Sequence, residues 1–292
     1  MRSIKAENYF FSAFYIILKP IIMLNDKKIE KIKQMIASGR RHFGRPAASL
    51  TQLQNPSLQG QLPPGWNRKV VDIAKRGEEE TSLIIQEWLK IHDSALLFDS
   101  IHIKGDDDIK VDKETGLLDN GDTDHIILCG NHVLIVDSKV WKGGWKKKSD
   151  QINPDTLTKK VYNSVYWLNY QGHVLRFGKE FPGGKVHMGN AIRLWSKYLT
   201  DDCQIMGVIN IINDNVEISA NPINMKVSAR IFHSQKWKLT CKREFNQTLD
   251  SWFNNIPAHE RYIDPVLAAM IAVQCCKPYN PTSFIKTSLI KI

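Results

Sequence analysis

The stretch GDTDHIILCGNHVLIVDSK, residues 121–139, constrains this chain more than any other. Two apolar runs meet at Gly130-Asn131, a dipeptide suited to a two-residue hairpin loop. With that loop Cys129 faces His132, and every opposed pair carries numbers that add to 261. Asp124 and Asp137 satisfy the sum. Directly opposed residues share a face with Cβ atoms roughly 4.5–5.5 Å apart, where two like charges are destabilising unless something compensates. A divalent cation would compensate. Lys139 lies two residues beyond Asp137 and is expected to project from the same face about 6.6 Å further on. Ile126, Leu128, Val133 and Ile135 share that face, so the carboxylates and the amine are expected at the end of an otherwise buried sheet. His125 and His132 point to the opposite face in this register and read as packing or surface histidines, not ligands.

Such an arrangement suits phosphodiester hydrolysis. A hard cation held by carboxylate oxygens polarises the phosphate and lowers the pKa of an attacking water. Asp124 and Asp137 are the candidate ligands, and the Ser138 carbonyl can add a third oxygen. Lys139 then orients or deprotonates the water, or balances developing charge. Whether the lysine or the cation-activated water takes that role stays open at this level. Just beyond lies a basic loop in which Lys142, Lys146, Lys147 and Lys148 are interleaved with Trp141 and Trp145. Its lysines could grip phosphates while Trp145 stacks on an unpaired base.

GDTDHIIL and GNHVLIVDSKVWKGG together resemble the nuclease-related domain (NERD) family of the PD-(D/E)XK nuclease superfamily. The family's core motif pairs a G-[DE]-x-D-H strand with a following [DE]-x-K-N-[WY] strand. Asp124 takes the place of the first metal-binding aspartate, Asp137 and Lys139 that of the acid and the lysine, and Trp141 and Gly143 also match. The family places a glutamate in its first helix within a Gly-Glu pair, for which Gly77-Glu78 is the candidate, with Glu79 and Glu80 as alternatives. Val140 departs from the usual Asn after the lysine. A later helix, where relatives often carry glutamine or lysine, offers His187, Asn190, Arg193 and Lys197 without a clear match, and Arg193 is the candidate for a nucleic-acid contact. The resemblance is strong over about residues 72–145 and fades through about 256. It implies an α/β, restriction-endonuclease-like core with a central mixed β-sheet flanked by helices. It also implies Mg²⁺-dependent cleavage of DNA, with Mn²⁺ as a possible substitute and Glu78 beside the metal.

Charge supports a polyanionic partner. Residues 1–65 hold ten Lys/Arg against three Asp/Glu and residues 139–197 twelve against three, while the remainder is net acidic. Basic stretches of this kind favour nucleic acid or anionic lipid. The five cysteines form neither a CxxC pair nor a Cys/His cluster, which fits a reducing, cytoplasmic setting. Neither GxGxxG nor GxxxxGK[ST] occurs, so no nucleotide-binding glycine loop is expected.

Along the chain, YFFSAFYIIL (9–18) is too short to span a bilayer and lacks an A-x-A-like cleavage site. Residues 1–45 therefore read as an apolar then basic segment that could contact a membrane surface. Met23 is an alternative start. The Pro/Gly/Ser/Gln-rich residues 46–66 read as a linker, 67–256 as the nuclease-related domain and 257–292 as a helical tail. A helix is expected over 72–91, a strand over 96–104, a strand pair turning at Gln171-Gly172, helices over 187–199, 245–254 and 264–275, and an interior strand over 204–212. VEISA and VSARIF read as short strands. The rival reading is a non-catalytic DNA-binding or membrane-tethered interaction protein that keeps the nuclease fold.

Overall fold

The computed structural model describes residues 26–53, 67–103, 121–141, 164–168, 174–176, 179–180, 188–213, 216–218 and 237–275. Its centre is a six-stranded sheet of spatial order β1-β2-β3-β4-β8-β10. β1 (His42–Gly44) runs parallel to β2 (Leu96–Ile103), and β2, β3 (Gly121–Cys129) and β4 (His132–Lys139) form an antiparallel meander. β8 (Gln204–Ile211) joins β4 in parallel and β10 (Trp237–Cys241) joins β8 in parallel. This is a mixed sheet of the α/β class. A separate four-stranded sheet, β7-β6-β5-β9, contains Ser164–Leu168 (β5), Val174–Arg176 (β6), Lys179–Glu180 (β7) and Val216–Ile218 (β9). β5 and β6 pair antiparallel, as expected for a turn near 171–172.

The hairpin register runs from Cys129↔His132 to His125↔Val136, each pair adding to 261. Gly130 has φ +57, and a Cβ there would collide with the Glu260 carbonyl oxygen, so the loop needs glycine. Period-two alternation then sends the hairpin's apolar residues to two different cores. Ile126, Leu128, Val133 and Ile135 join a cluster with Ile29, Ile32, Met35 and Ile36 of α1 (Asp26–Ala37), Trp195 of α4 (Met188–Tyr198) and Leu267–Ile271 of α6 (Pro265–Ala272). Ile127, Cys129, Leu134 and Val136 pack with Ile85, Trp88 and Leu89 of α3 (Arg68–Leu89) and with Phe245, Leu249 and Trp252 of α5 (Phe245–Asn254). Helices therefore cover both faces. α3 begins four residues earlier than its apolar spacing suggests, because the Asn67 side chain accepts a hydrogen bond from the Val70 N–H at 3.1 Å and caps it.

The expected boundaries at 67 and 256 do not coincide with the packing. The apolar stripe of α1 lies against the core, β1 extends the sheet, and α2 (Ala48–Leu53), inside the expected linker, belongs to a region where Ala47 and Leu50 are buried with Val71. In the expected tail, α6 carries Leu267, Met270 and Ile271, all at most 5% exposed. These segments belong to the same fold because their few apolar residues complete faces that the central strands leave open. Residues 1–25, 54–66 and the expected strand VSARIF lie outside the described residues. Among the described residues no helix is long and apolar enough to cross a membrane.

Candidate metal centre

The polar end of the hairpin forms where its ladders stop. The β3–β4 register ends at His125↔Val136, so Asp124 and Asp137 are not a ladder pair, in contrast to the sequence expectation. On the other side of β3 the pairing with β2 skips from Asp99↔His125 to Ile101↔Thr123. Ser100, opposite the gap, sits at φ +49, a left-handed conformation unusual for a non-glycine residue. The Asp124 carboxylate accepts a hydrogen bond through Oδ2 from the Ser138 N–H at 2.7 Å. A side chain thus takes over the contact that a ladder carbonyl would have made.

Asp137 and Lys139 follow on β4, and the Lys139 ammonium donates a short hydrogen bond to Asp137 Oδ1. Their side chains are 24% and 38% exposed, so solvent reaches the pair. Burial pushes the Asp137 carboxyl up, Lys139 opposes this and Asp124 adds to it, leaving the pKa at about 6. Burial alone would lower the Lys139 pKa, but the charges of Asp137, Asp124 and then Glu78 outweigh it and push it up. Lys139 is therefore an ammonium near neutral pH, surrounded by carboxylates.

Glu78, Glu79 and Glu80 have different environments. Glu78 is 7% exposed and acts electrostatically on Lys139. Glu79 lies 3.8 Å from Lys75, and Glu80 forms a 2.6 Å ion pair with Lys242. Of the three, Glu78 is the one turned toward the hairpin end. Gly77 lets α3 come this close, since a Cβ there would run into the Val140 side chain.

No three His, Cys, Asp or Glu side chains among the described residues gather as a ready-made cation cluster. Two facing carboxylates and neighbouring backbone oxygen still suit Mg²⁺, which keeps several waters and is usually held by one or two carboxylates plus substrate phosphate. The raised pKa of Asp137 beside Asp124 marks a place where added positive charge is stabilising. The Ser138 residue is 9% exposed. Arg193 lies on α4, while Lys142, Trp145, Lys146, Lys147 and Lys148 fall outside the described residues.

Residues 74–186 match the family model of the nuclease-related domain. The chain carries a nuclease-related domain. Neither a curated protein nor a solved structure matches it. The family match begins inside α3, takes in Glu78 and the whole β2–β3–β4 meander, and stops just before α4. All the acidic and basic residues of the hairpin end therefore lie within the nuclease-related domain.

Sequence reasoning missed the group behind that end. His125 lies on the face opposite Ile126 and Leu128, as expected, yet it does more than fill space: its Nδ1 meets Asp99 Oδ1 at 2.7 Å and its Nε2 meets Ser138 Oγ at 2.9 Å. The available signal was Asp99 itself, a lone acid within the apolar strand LLFDSIHI. His132 meets Glu260 Oε2 at 2.7 Å at the other end of the hairpin.

The Gly77 contact yields a direct prediction for the nuclease-related domain. Gly77→Ala is expected to lower metal-dependent cleavage about tenfold, because displacing α3 moves Glu78 away from Lys139. Melting temperature should change little, since alanine's helix preference of up to about 1 kcal/mol offsets the crowding. Combining it with Val140→Ala, which removes the colliding methyl, should restore cleavage. A double variant as slow as the single one would separate Glu78 from the site.

Proposed function

We propose that this protein is a metal-dependent nuclease that hydrolyses phosphodiester bonds in DNA, using Mg²⁺ with Mn²⁺ able to replace it. The observation that carries this reading is the convergence of Asp124, Asp137, Lys139 and the charge of Glu78 at one end of an apolar hairpin. Membership of residues 74–186 in a nuclease-related family supports it. Asp124, Asp137 and the Ser138 carbonyl would hold the cation, with Glu78 contributing directly or through water. When bound, the cation polarises the scissile phosphate and makes the attacking water more acidic. Lys139, kept as an ammonium, orients that water and stabilises charge developing on the phosphate. The basic loop with Lys142, Trp145, Lys146, Lys147 and Lys148, together with Arg193, supplies the DNA contacts in this reading.

The test is cleavage of supercoiled, linear and single-stranded DNA in Mg²⁺, Mn²⁺ or chelator by wild type, Asp137→Ala and Lys139→Ala. Cutting that needs metal and is lost in both variants is expected. Binding of DNA without cutting in any metal, unaffected by either substitution, would favour the non-catalytic binding protein.

Acidity adds a second expectation. Because Asp137 keeps its proton up to about pH 6, the cation must displace it, and Mn²⁺ should bind about tenfold more weakly at pH 5 than at pH 7.5. For stability without metal the sign is the reverse of an ordinary ion-paired carboxylate. The folded state holds this proton more tightly than the unfolded chain, so the Asp137 contribution to stability falls as pH rises from about 4 to about 6. Calorimetric Mn²⁺ titration at the two pH values checks the first point, and equal affinities would contradict it.

A further inference from the structure

Behind the proposed metal centre, on the side covered by α3, a hydrogen-bonded chain crosses four strands. His42 Nε2 on β1 lies 2.7 Å from Asp99 Oδ2 on β2, Asp99 Oδ1 lies 2.7 Å from His125 Nδ1 on β3, and His125 Nε2 lies 2.9 Å from Ser138 Oγ on β4. From α3, the Ser82 hydroxyl donates to Asp99 Oδ2 at 2.6 Å. Asp99 and His125 are fully buried, and His42 brings the chain to the surface with a side chain 28% exposed. Burial alone would raise the Asp99 pKa, but the hydrogen bonds from His125, His42 and Ser82 and the His125 charge hold it down to about 2. Asp99 is therefore an anion, and an anion accepts. The proton between it and His125 belongs to Nδ1, and Nε2 makes the hydrogen bond to the Ser138 hydroxyl.

The order Asp–His–Ser is that of a nucleophilic serine triad. Here, however, Ser138 is 9% exposed and its own N–H is committed to the Asp124 carboxylate. The residue is held from two directions, its hydroxyl by the histidine and its backbone by the aspartate. We infer that Asp99 and His125 are positioning residues for the metal centre: through Ser138 they fix the orientation of the Asp124 carboxylate and the strand end that carries Asp137 and Lys139. This rests on the metal-dependent reading above. Partners of this kind, one step removed from a metal, typically alter metal affinity or activity by 10–100-fold.

Mn²⁺ binding by the full-length protein, followed through the paramagnetic resonance signal of free Mn²⁺, tests the inference without relying on cleavage. Ser138→Ala removes the hydroxyl while keeping the backbone N–H and carbonyl, and Asp99→Asn removes the charge that holds the histidine ring through Nδ1. Both should raise the apparent Kd at least about tenfold. His132→Ala, a change at the other buried histidine of the same hairpin, should bind Mn²⁺ like wild type even if its melting temperature falls. Asp137→Ala should bind none.

Wild-type affinity in both Ser138→Ala and Asp99→Asn, with binding lost in Asp137→Ala, would overturn the positioning role and leave the metal centre standing. Equal weakening in His132→Ala would reduce the effect to general stability and overturn it as well. No Mn²⁺ binding by wild type, or full binding by Asp137→Ala, would remove the metal centre and the inference together. Covalent labelling of wild-type Ser138 by a fluorophosphonate would make it a nucleophile and overturn positioning as its role.

Discussion

Asp137→Ala is expected to abolish metal-dependent DNA cleavage, slowing it by about three orders of magnitude or more, while the protein stays folded. A thousandfold loss corresponds to about 4 kcal/mol of transition-state stabilisation, a reasonable cost for removing one of two carboxylates from a cation site. Structural damage should be small for a specific reason. Burial and the neighbouring Asp124 already disfavour the Asp137 carboxylate, which is why its pKa stands at about 6, so its removal relieves a repulsion. Lys139 keeps the charges of Asp124 and Glu78 nearby. Thermal melts should therefore show an unchanged or slightly higher melting temperature in the absence of metal, beside cleavage assays that show none of the wild-type rate. Wild-type cleavage by this variant would place the chemistry elsewhere in the molecule.

Ending the chain at Ile256 is expected to prevent stable folding. The truncation removes α6, whose Leu267, Met270 and Ile271 are 5%, 1% and 0% exposed in the core cluster beneath β2, β3 and β4. At about 1.5–3 kcal/mol for each fully buried large side chain, these three alone contribute about 5–9 kcal/mol. Domains of this kind have a total stability of about 5–15 kcal/mol, so little or nothing remains. The cut also removes the Tyr262 carbonyl that accepts from the Gly130 N–H at 2.6 Å, and Glu260, the partner of His132. Circular dichroism melts and binding of a hydrophobic dye should show a loose, aggregation-prone chain. A cooperative melt near that of the full-length protein would show that the helix is dispensable.

Much of this protein was legible in its sequence because the relevant patterns are local. The hairpin register followed from one dipeptide and period-two alternation, and it holds from Cys129↔His132 through His125↔Val136. Helical spacing placed α4 and α5 to within a residue or so, and the continuous apolar run at 204–212 gave the interior strand β8. The residue types at the hairpin end, two aspartates and a lysine, are what raise the expectation of cation chemistry.

Tertiary structure alone decided how those residues are arranged. A register rule assumes that the ladder continues, and it stops one pair short of Asp124, where Ser100 turns left-handed and the carboxylate swings to the Ser138 N–H. The choice of Glu78 over Glu79 and Glu80 depended on how closely α3 approaches Val140, a distance no helical period encodes. Packing across the expected boundaries has the same reason, since α1 and α6 are short pieces that fill faces left open by strands far away in sequence. His42 and Asp99 are separated by 57 residues, and Asp99 and His125 by 26. Sequence periodicity reports which side of its own element a residue takes; what waits on that side is set by the packing of the other elements, and there a histidine read as filler became the link between a buried anion and the proposed metal centre.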